Sequence, residues 1–377
     1  MTSSYPSAIG RPLRVLHVIT GLGVGGAESM LTRLATLAPP SLLTQRVVAL
    51  VPGGPNRAVL EQAGIGVADL GMTRGMPSLG ALRRLAAEIR DFAPDVVQSW
   101  MYHADLCALA ARALSGCSPR LAWGVRCSDM DTRRYGPLLR MVIRACALLS
   151  GRPDAVVANS VAGRDVHLGL GYAPRRFEII PNGIDVTRFR PDAERRAALR
   201  ARLGIAADRP VVAQVARVDP MKDYDGLLAA LDRVPEVDAL LIGAGTEDLP
   251  AGPRRHRLGR RSDVADLLCA ADVIVSSSAF GEGFSNALAE GMACGLPAVT
   301  TDVGDARLVV GDSGLVVPPG DPAALADAIR ALATEDAAQH AARAAAARAH
   351  VVDNFAIDVI IRRFADFYAD LVRPCAA

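Results

Sequence analysis

Short runs of β-branched and aliphatic residues alternate along this chain with longer stretches whose apolar positions recur every three or four residues. In the first half the runs are RVLHVIT (14–20), QRVVALV (45–51), IGVADL (65–70), DVVQSW (95–100), RLAWGV (120–125), AVVANS (155–160) and FEIIP (177–181). Helical patterns lie between several of them: AESMLTRLATLA (27–38), NRAVLEQAG (56–64), SLGALRRLAAEIRDF (78–92) and ADLCALAARALSG (104–116). The second half repeats the rhythm, with strand-like runs at 211–217, 238–245, 256–260, 273–278, 297–301 and 314–318. An alanine-rich stretch at 324–351 predicts one long helix, and IDVIIRRFADFYADLV (357–372) predicts a last amphipathic one. Such alternation predicts an α/β protein with mostly parallel sheets covered on both faces. Two doubly wound domains follow, joined around 182–200, with the final helix expected to pack back across the junction.

Composition narrows the class. The chain has 377 residues, 51% of them apolar, enough for two domains of ordinary size. No uncharged apolar run reaches the roughly 18 residues that span a bilayer. The first residues lack the basic-then-apolar order of a signal peptide. Seven cysteines, at 107, 117, 127, 146, 269, 294 and 375, form no C-x-x-C pair. They are expected to be free thiols in a reducing cytoplasm rather than disulfides or zinc ligands. The net charge of +2 conceals an asymmetry: residues 1–180 hold 20 arginines against 12 acids, and the acids outnumber the bases after that. Solvated surface accounts for this, as does a first half that faces phosphates or an anionic leaflet. Nucleic acid is not an expected partner. Lys222 is the only lysine in the chain, which suggests a local need for an ammonium.

Near the start, Gly21, Gly23 and Gly26 satisfy the G-x-G-x-x-G spacing of a dinucleotide turn. In such a fold an acid about 20 residues further on holds the ribose. Here no acid occurs between Glu28 and Glu61, which argues against a nicotinamide oxidoreductase. The loop still follows a strand and opens a helix, where backbone N–H groups favour an anion and glycine allows close approach.

Two stretches of the second half carry more chemistry. In FGEGFSNALAEGMACGLPAVTTDVG (280–304), Ser285 is placed to cap a short helix that ends before Gly295. Glu282 then sits in the preceding loop and Glu290 inside the helix. Carboxylates at these two depths suit sugar and ribose hydroxyls, with phosphates at the helix N-terminus; they also suit an exposed loop acid and a surface helix acid. In VARVDPMKDYDGLLAAL (215–231), Arg217 and Lys222 flank a turn after a strand. Two cations at the carboxyl edge of a parallel strand suit a diphosphate.

Taken together, GGAE (25–28), NS (159–160), IIPNGID (179–185), VARVDPMKD (215–223), IGAGTE (242–247), LGRRSDV (258–264) and EGFSNALAEGMACGLPAV (282–299) resemble the retaining GT-B glycosyltransferases of family four, also called group 1. They cover nearly the whole chain in the expected order. The resemblance implies two Rossmann-like domains facing across a cleft: an acceptor-binding domain over 11–182, a nucleotide-sugar domain over 183–352, and a C-terminal helix at 353–377 crossing back. It implies that Arg217 and Lys222 neutralise the donor diphosphate and that Glu290 holds the ribose. Glu282, with the N–H groups of Gly283, Phe284 and Ser285, would hold the transferred sugar. Arg260 would pass the base, Gly25 and Gly26 would close over the phosphate, and His103 would contact the sugar.

The same resemblance implies transfer of a hexosyl unit from a nucleotide-diphosphate sugar, UDP-sugar for preference, without a metal or other cofactor. The letters DMD at 129–131 match a metal motif but fall in the acceptor half, so no metal site is expected. A saccharide or lipid-linked acceptor in cell-surface polysaccharide synthesis is implied. Trp123, Arg126 and Asp129 are placed to shape its pocket or to end a strand in the ordinary way. Arg133, Arg134, Arg140, Arg144 and Arg152 interrupt an apolar pattern at 132–152 that suits either peripheral contact with an anionic membrane or a helix packed on its own domain. A nucleotide-sugar epimerase and a catalytically silent nucleotide-sugar binder are the alternatives.

Overall fold

Strands sandwiched between helices have no face to spare for water, and the inner β-branched runs become strands of that kind, while the strands at the sheet edges stay partly exposed. The computed structural model describes residues 10–73, 78–126, 128 and 136–373. Its first seven strands are β1 (Leu13–Ile19), β2 (Leu43–Ala49), β3 (Gly66–Asp69), β4 (Val96–Trp100), β5 (Arg120–Val125), β6 (Ala155–Ala158) and β7 (Phe177–Ile179). They form one parallel sheet in the order β3-β2-β1-β4-β5-β6-β7. Every residue of β4 and β6 is buried. The connecting helices are α1 (Gly26–Leu37), α2 (Pro55–Gln62), α3 (Leu79–Phe92), α4 (Tyr102–Ser115), α5 (Pro137–Leu149) and α6 (Val161–Gly169). The hydrophobic pattern gives no sign of α6. Its nine residues begin and end around glycines and complete too few turns to show a period.

A second parallel sheet follows, with α7 (Ala193–Leu203), β8 (Val211–Val215), α8 (Tyr224–Leu231), β9 (Asp238–Ile242), β10 (Arg255–Gly259), α9 (Val264–Cys269), β11 (Val273–Ser276), α10 (Asn286–Ala293), β12 (Ala298–Thr301), α11 (Ala306–Val310) and β13 (Leu315–Val317). Its order is β10-β9-β8-β11-β12-β13. The alanine-rich stretch expected as one helix is two, α12 (Pro322–Ala333) and α13 (Ala337–Phe355). The break comes at Asp336, whose carboxylate accepts from the N–H groups of Ala338 and Gln339 at 3.0 and 2.9 Å and so caps a new helix.

By their contacts the residues fall into two units. One runs to Gly183 and resumes at Ile357; the other spans Ile184–Ala356. The last helix, α14 (Ile357–Val372), therefore belongs to the first unit. It buries Ile360, Phe364 and Tyr368 in one cluster with Val15, Leu31 and Leu34.

Both sheets reverse their strand order once, between β1 and β4 and between β8 and β11. Open parallel sheets bind ligands outside the carboxyl ends of their strands at such a reversal. The topology thus marks four loops before any side chain is considered: those after β1 and β4 in the first unit, and those after β8 and β11 in the second.

Candidate functional site

In the second unit the loop after β8 carries Arg217 and Lys222. Asp219 begins a single 3-10 turn at Pro220–Lys222 by accepting from the Met221 N–H at 3.0 Å. Asp223 then turns the chain in the left-handed region, at φ 44, and caps α8 by accepting from the Gly226 N–H at 3.0 Å. The loop after β11 is bound to it. Ser277 Oγ donates to the Lys222 carbonyl at 2.7 Å, and the Ala279 N–H donates to the Met221 carbonyl at 2.9 Å. This brings two sequence-predicted residues, sixty positions apart, into direct contact: the Lys222 ammonium pairs with Glu282 Oε1. Ser278 Oγ donates to the same oxygen at 2.7 Å.

Arg217 joins through a third group. Its guanidinium pairs with Asp219 at 3.1 Å while two-thirds of its side chain stays in solvent, at 66%. The Met221 N–H first, then Arg217 and Lys222, hold the Asp219 carboxyl below its usual range. One carboxylate therefore senses both cations.

Two glycines allow this packing. A Cβ on Gly304, at φ +61, would lie 2.0 Å from the Glu282 carbonyl oxygen. A Cβ on Gly243, at φ +147, would lie 1.9 Å from that of Ala216, the residue before Arg217. No other residue fits either place without moving the site loops.

Other predicted residues stand apart from the ion pair. Ser285 occupies the N-cap of α10, but its side chain accepts no capping hydrogen bond, contrary to the expectation. The Phe284 ring faces the core, edge-on to Phe355 at 5.1 Å, so only its main chain is available to a ligand. Gly283 accepts through its carbonyl from the Asp305 N–H at 3.2 Å. Glu290 lies half-buried more than a turn into α10. Arg260 follows β10, the sheet's edge strand, and is exposed. The sequence reading missed Ser277, Ser278 and Asp219. The SSS run at 276–278 was the available signal, read as the end of a strand that in fact stops at Ser276.

In the first unit, Gly25 is the extended N-cap of α1 and Gly26 its first residue. A Cβ on Gly25 would lie 2.4 Å from Glu28 Oε2, so that carboxylate already curls over the helix start. After β4, Met101 adopts φ 73 ahead of α4, a strained region for a residue with a side chain. His103 follows in the first turn, half-buried, and burial lowers its pKa. Beneath it, Trp100 Nε1 donates to His17 Nδ1 at 3.2 Å, which leaves His17 Nε2 as the donor to Gln45 Oε1 at 2.9 Å. Burial holds that imidazole neutral, with its pKa lowered to about 4.

Arg126 lies over the Trp100 ring at 4.4 Å and donates to Asn182 Oδ1 at 2.5 Å. Trp123, on β5, is fully buried in the core of the first unit. Asp129, the DMD letters, Arg133 and Arg134 lie outside the described residues. Among the described residues no three His, Cys, Asp or Glu side chains are grouped to hold a metal ion, and no helix is long and apolar enough to cross a membrane.

Two Rossmann-like units with parallel sheets are the architecture of the GT-B glycosyltransferases, and solved structures share it. Anabaena Alr3699/HepE in complex with UDP superimposes with a TM-score of 0.81 at 23% identity, covering 95% of this chain and 100% of that one. The same protein in complex with UDP and glucose gives 0.78 at 25%, covering 94% and 99%. Family models for Glycosyltransferase Family 4 and Glycosyl transferases group 1 match residues 24–188 and 209–335. The chain belongs to these glycosyltransferases of group 1 and family 4. A D-inositol 3-phosphate glycosyltransferase of Xylanimonas cellulosilytica is 35% identical over 243 residues, 58% of each chain. A GDP-mannose-dependent monoacylated alpha-(1-6)-phosphatidylinositol monomannoside mannosyltransferase of Corynebacterium glutamicum is 30% identical over 208 residues, covering 50% of this chain and 54% of that one. The chain thus spans little more than half the length of the curated relatives it matches.

Proposed function

We propose that the protein is a retaining, metal-independent glycosyltransferase that moves a hexosyl unit from a UDP-sugar to a saccharide or lipid-linked acceptor in cell-surface polysaccharide synthesis. The observation that carries this reading is the Lys222–Glu282 pair at the reversal of the second sheet, with Arg217 beside it. An ammonium has three N–H donors. Lys222 can keep Glu282 and still present a donor to a phosphate oxygen. It would thereby fix the sugar-holding carboxylate and the leaving diphosphate relative to each other. As the glycosidic bond breaks, negative charge builds on that diphosphate, and cations already in place stabilise it without rearrangement. Glu282, Gly283, Phe284 and Ser285 would hold the sugar, Glu290 the ribose, Arg260 the base, Gly25 and Gly26 the phosphate, and His103, neutral at pH 7, a sugar hydroxyl.

The relatives' printed names include a GDP-mannose enzyme and the structural neighbours include UDP complexes, so the donor test must contain both bases. Thermal shifts with UDP-glucose and GDP-mannose identify the base. A donor at a hundredfold excess over its Kd stabilises the native state by about 2.7 kcal/mol, and Lys222→Ala removes most of that shift. An undiminished shift in the variant would mean that the diphosphate lies elsewhere. Retention is read from the anomeric proton of the product. Donor conversion without any acceptor would identify an epimerase or hydrolase instead.

Membrane association is part of the same proposal. Helix α5 buries Val142, Ile143 and Cys146 and turns Leu138, Met141 and Leu148 outward beside Arg140 and Arg144. An outer face of this composition suits an anionic leaflet. Sedimentation with anionic vesicles should weaken with salt and on replacement of Arg140 and Arg144; insensitivity to both would refute it.

A further inference from the structure

Arg126, Asn159 and Asn182 follow three neighbouring strands of the first unit. Val125, Ala158 and Ile179 share one register row across β5, β6 and β7. Arg126 and Asn159 each come one residue after that row, on strands about 4.8 Å apart. They stand side by side at the carboxyl edge of the sheet.

Each leaves a polar atom unanswered. Arg126 Nε is buried without a hydrogen-bond partner, and so is Asn159 Oδ1, in a side chain only 7% exposed. The Arg126 guanidinium has Trp100 and Phe364 on its flanks, at 4.4 and 5.9 Å, and gives one N–H to Asn182. Among the described residues no carboxylate pairs with it; the titratable group facing it is the Tyr368 phenol. Arg200, the arginine buried as a whole residue among the described ones, is treated differently. Arg200 pairs with Asp272 at 2.7 Å and donates to the carbonyls of Ala206, Ala207, Arg209 and Ala270. A buried cation without a counter-charge is costly. Burial lowers the Arg126 pKa to about 9, so the charge persists at neutral pH. Aromatic faces recover part of the cost but leave the donor and the acceptor unmet.

We propose that the carboxyl edge of β5–β7 binds an oxyanion, a phosphate or carboxylate, carried by a polyhydroxy compound: Arg126 takes the anion and Asn159 accepts from an adjacent hydroxyl. The site lies wholly within the first unit. That its ligand is the acceptor rests on the transferase reading; that it binds an oxyanion does not.

The test uses the full chain carrying Lys222→Ala, which removes the competing phosphate site of the second unit. Glycerol 3-phosphate is titrated against intrinsic tryptophan fluorescence, since Trp100 lies directly under the guanidinium, with glycerol as the uncharged control. A saturable change with glycerol 3-phosphate alone is expected. Arg126→Met should weaken it at least about tenfold, as loss of a charged hydrogen bond does, and Asn159→Ala about threefold. With Lys222 restored, both variants should keep the UDP-induced thermal shift, which shows that they are folded. If Arg126→Met does not fold, Arg126→Lys keeps the charge, loses the planar fork and should still weaken binding severalfold. An unchanged curve in the Arg126 variants, or no saturable response in the parent, overturns the proposal. Vesicles of phosphatidic acid in phosphatidylcholine separate the sources of the oxyanion: Arg126-dependent binding of vesicles marks a lipid headgroup, and a response confined to glycerol 3-phosphate marks a soluble compound. Absence of a UDP shift in every form that carries Lys222, the unsubstituted chain included, would count against the transferase reading and leave the oxyanion result standing.

Discussion

Lys222 and Arg126 are both cations at the carboxyl edge of a parallel sheet, yet among the described residues one is paired with a carboxylate and the other is not. Lys222 has Glu282, and its loop is bound by Ser277 to the loop that carries the acid. Arg126 has two aromatic rings and one amide oxygen. The first arrangement is neutral before any ligand arrives, so a ligand must share an existing partner. The second has no counter-charge among the described residues, so an anion completes it. A polar edge of linked loops and an aromatic edge with an orphan charge are two ways of preparing for negative charge on one kind of sheet.

Breaking the paired edge should have the largest effect. Glu282→Gln and Lys222→Ala should each lower kcat/KM for glycosyl transfer by about 10²–10³, the scale for removing one preorganised group. Because the two residues touch, the double variant should lose much less than the product of the single losses. Independent, fully multiplying effects in steady-state kinetics would show that the pair does not act as a unit.

The backbone beneath that edge comes next. Gly304→Ala drives a Cβ to 2.0 Å from the Glu282 carbonyl at φ +61, and about 3 kcal/mol of stability should be lost. Calorimetry would register this as a fall in Tm of several degrees. Gly21→Ala, in the glycine loop of the first unit with nothing within 4 Å, should leave Tm where it is.

A third test sharpens the contrast from the side of the first unit, through pH. His17 is fully buried, and its pKa is lowered to about 4 from the usual 6.5. Between those values the unfolded chain binds a proton that the native state refuses, so this group makes stability rise with pH. Asp105, also fully buried and accepting from Ser99 Oγ at 2.6 Å, has its pKa raised by burial to about 7 from 3.8. There the native state keeps the proton, so stability falls as pH rises over nearly the same window. The two slopes oppose each other. Asp105→Asn should remove the falling one, and chemical denaturation should then show stability climbing more steeply from pH 4 to 6.5, by about 3 kcal/mol in total. A variant whose slope matches the parent's would mean that Asp105 does not retain its proton.

The smallest effect should belong to Arg260→Ala. The side chain is exposed and forms no ion pair among the described residues, so stability should not change. KM for the nucleotide sugar should rise no more than about threefold, as for a solvent-screened contact.

Much of the fold is legible in the chain because parallel strands are buried on both faces. The inner strands read as continuous apolar runs; the edge strands β3 and β10 are only partly buried, and RHRLG in β10 was marked by its place in the alternation rather than by an apolar run. Helices whose signal is capping rather than periodicity did not stand out. The break before α13 was written as Asp336 followed three residues later by Gln339, an N-terminus pattern hidden within a monotonous alanine run. The candidate site was legible residue by residue and illegible as a geometry. Glycines and charges mark the loops after β8 and β11, but only the pairing of those two strands brings Lys222 to Glu282. The surroundings of Arg126 were out of reach for a similar reason. One of its two aromatic neighbours, Phe364, arrives from the far end of the chain, on a helix whose periodicity reveals an apolar face and not where that face will dock.

The return of α14 also has a bearing on how the chain could be divided. A Cβ placed on Gly183 would lie 3.0 Å from the Ile357 Cα, so the two cut ends of the first unit practically meet. The second unit is an insertion spliced into a host that a residue or two of linker would reseal. Its own ends are equally close, since the Ile184 N–H donates to the Phe355 carbonyl at 2.8 Å. A gene designer could excise one body, close the other, and obtain two shorter proteins with no strand of either sheet removed.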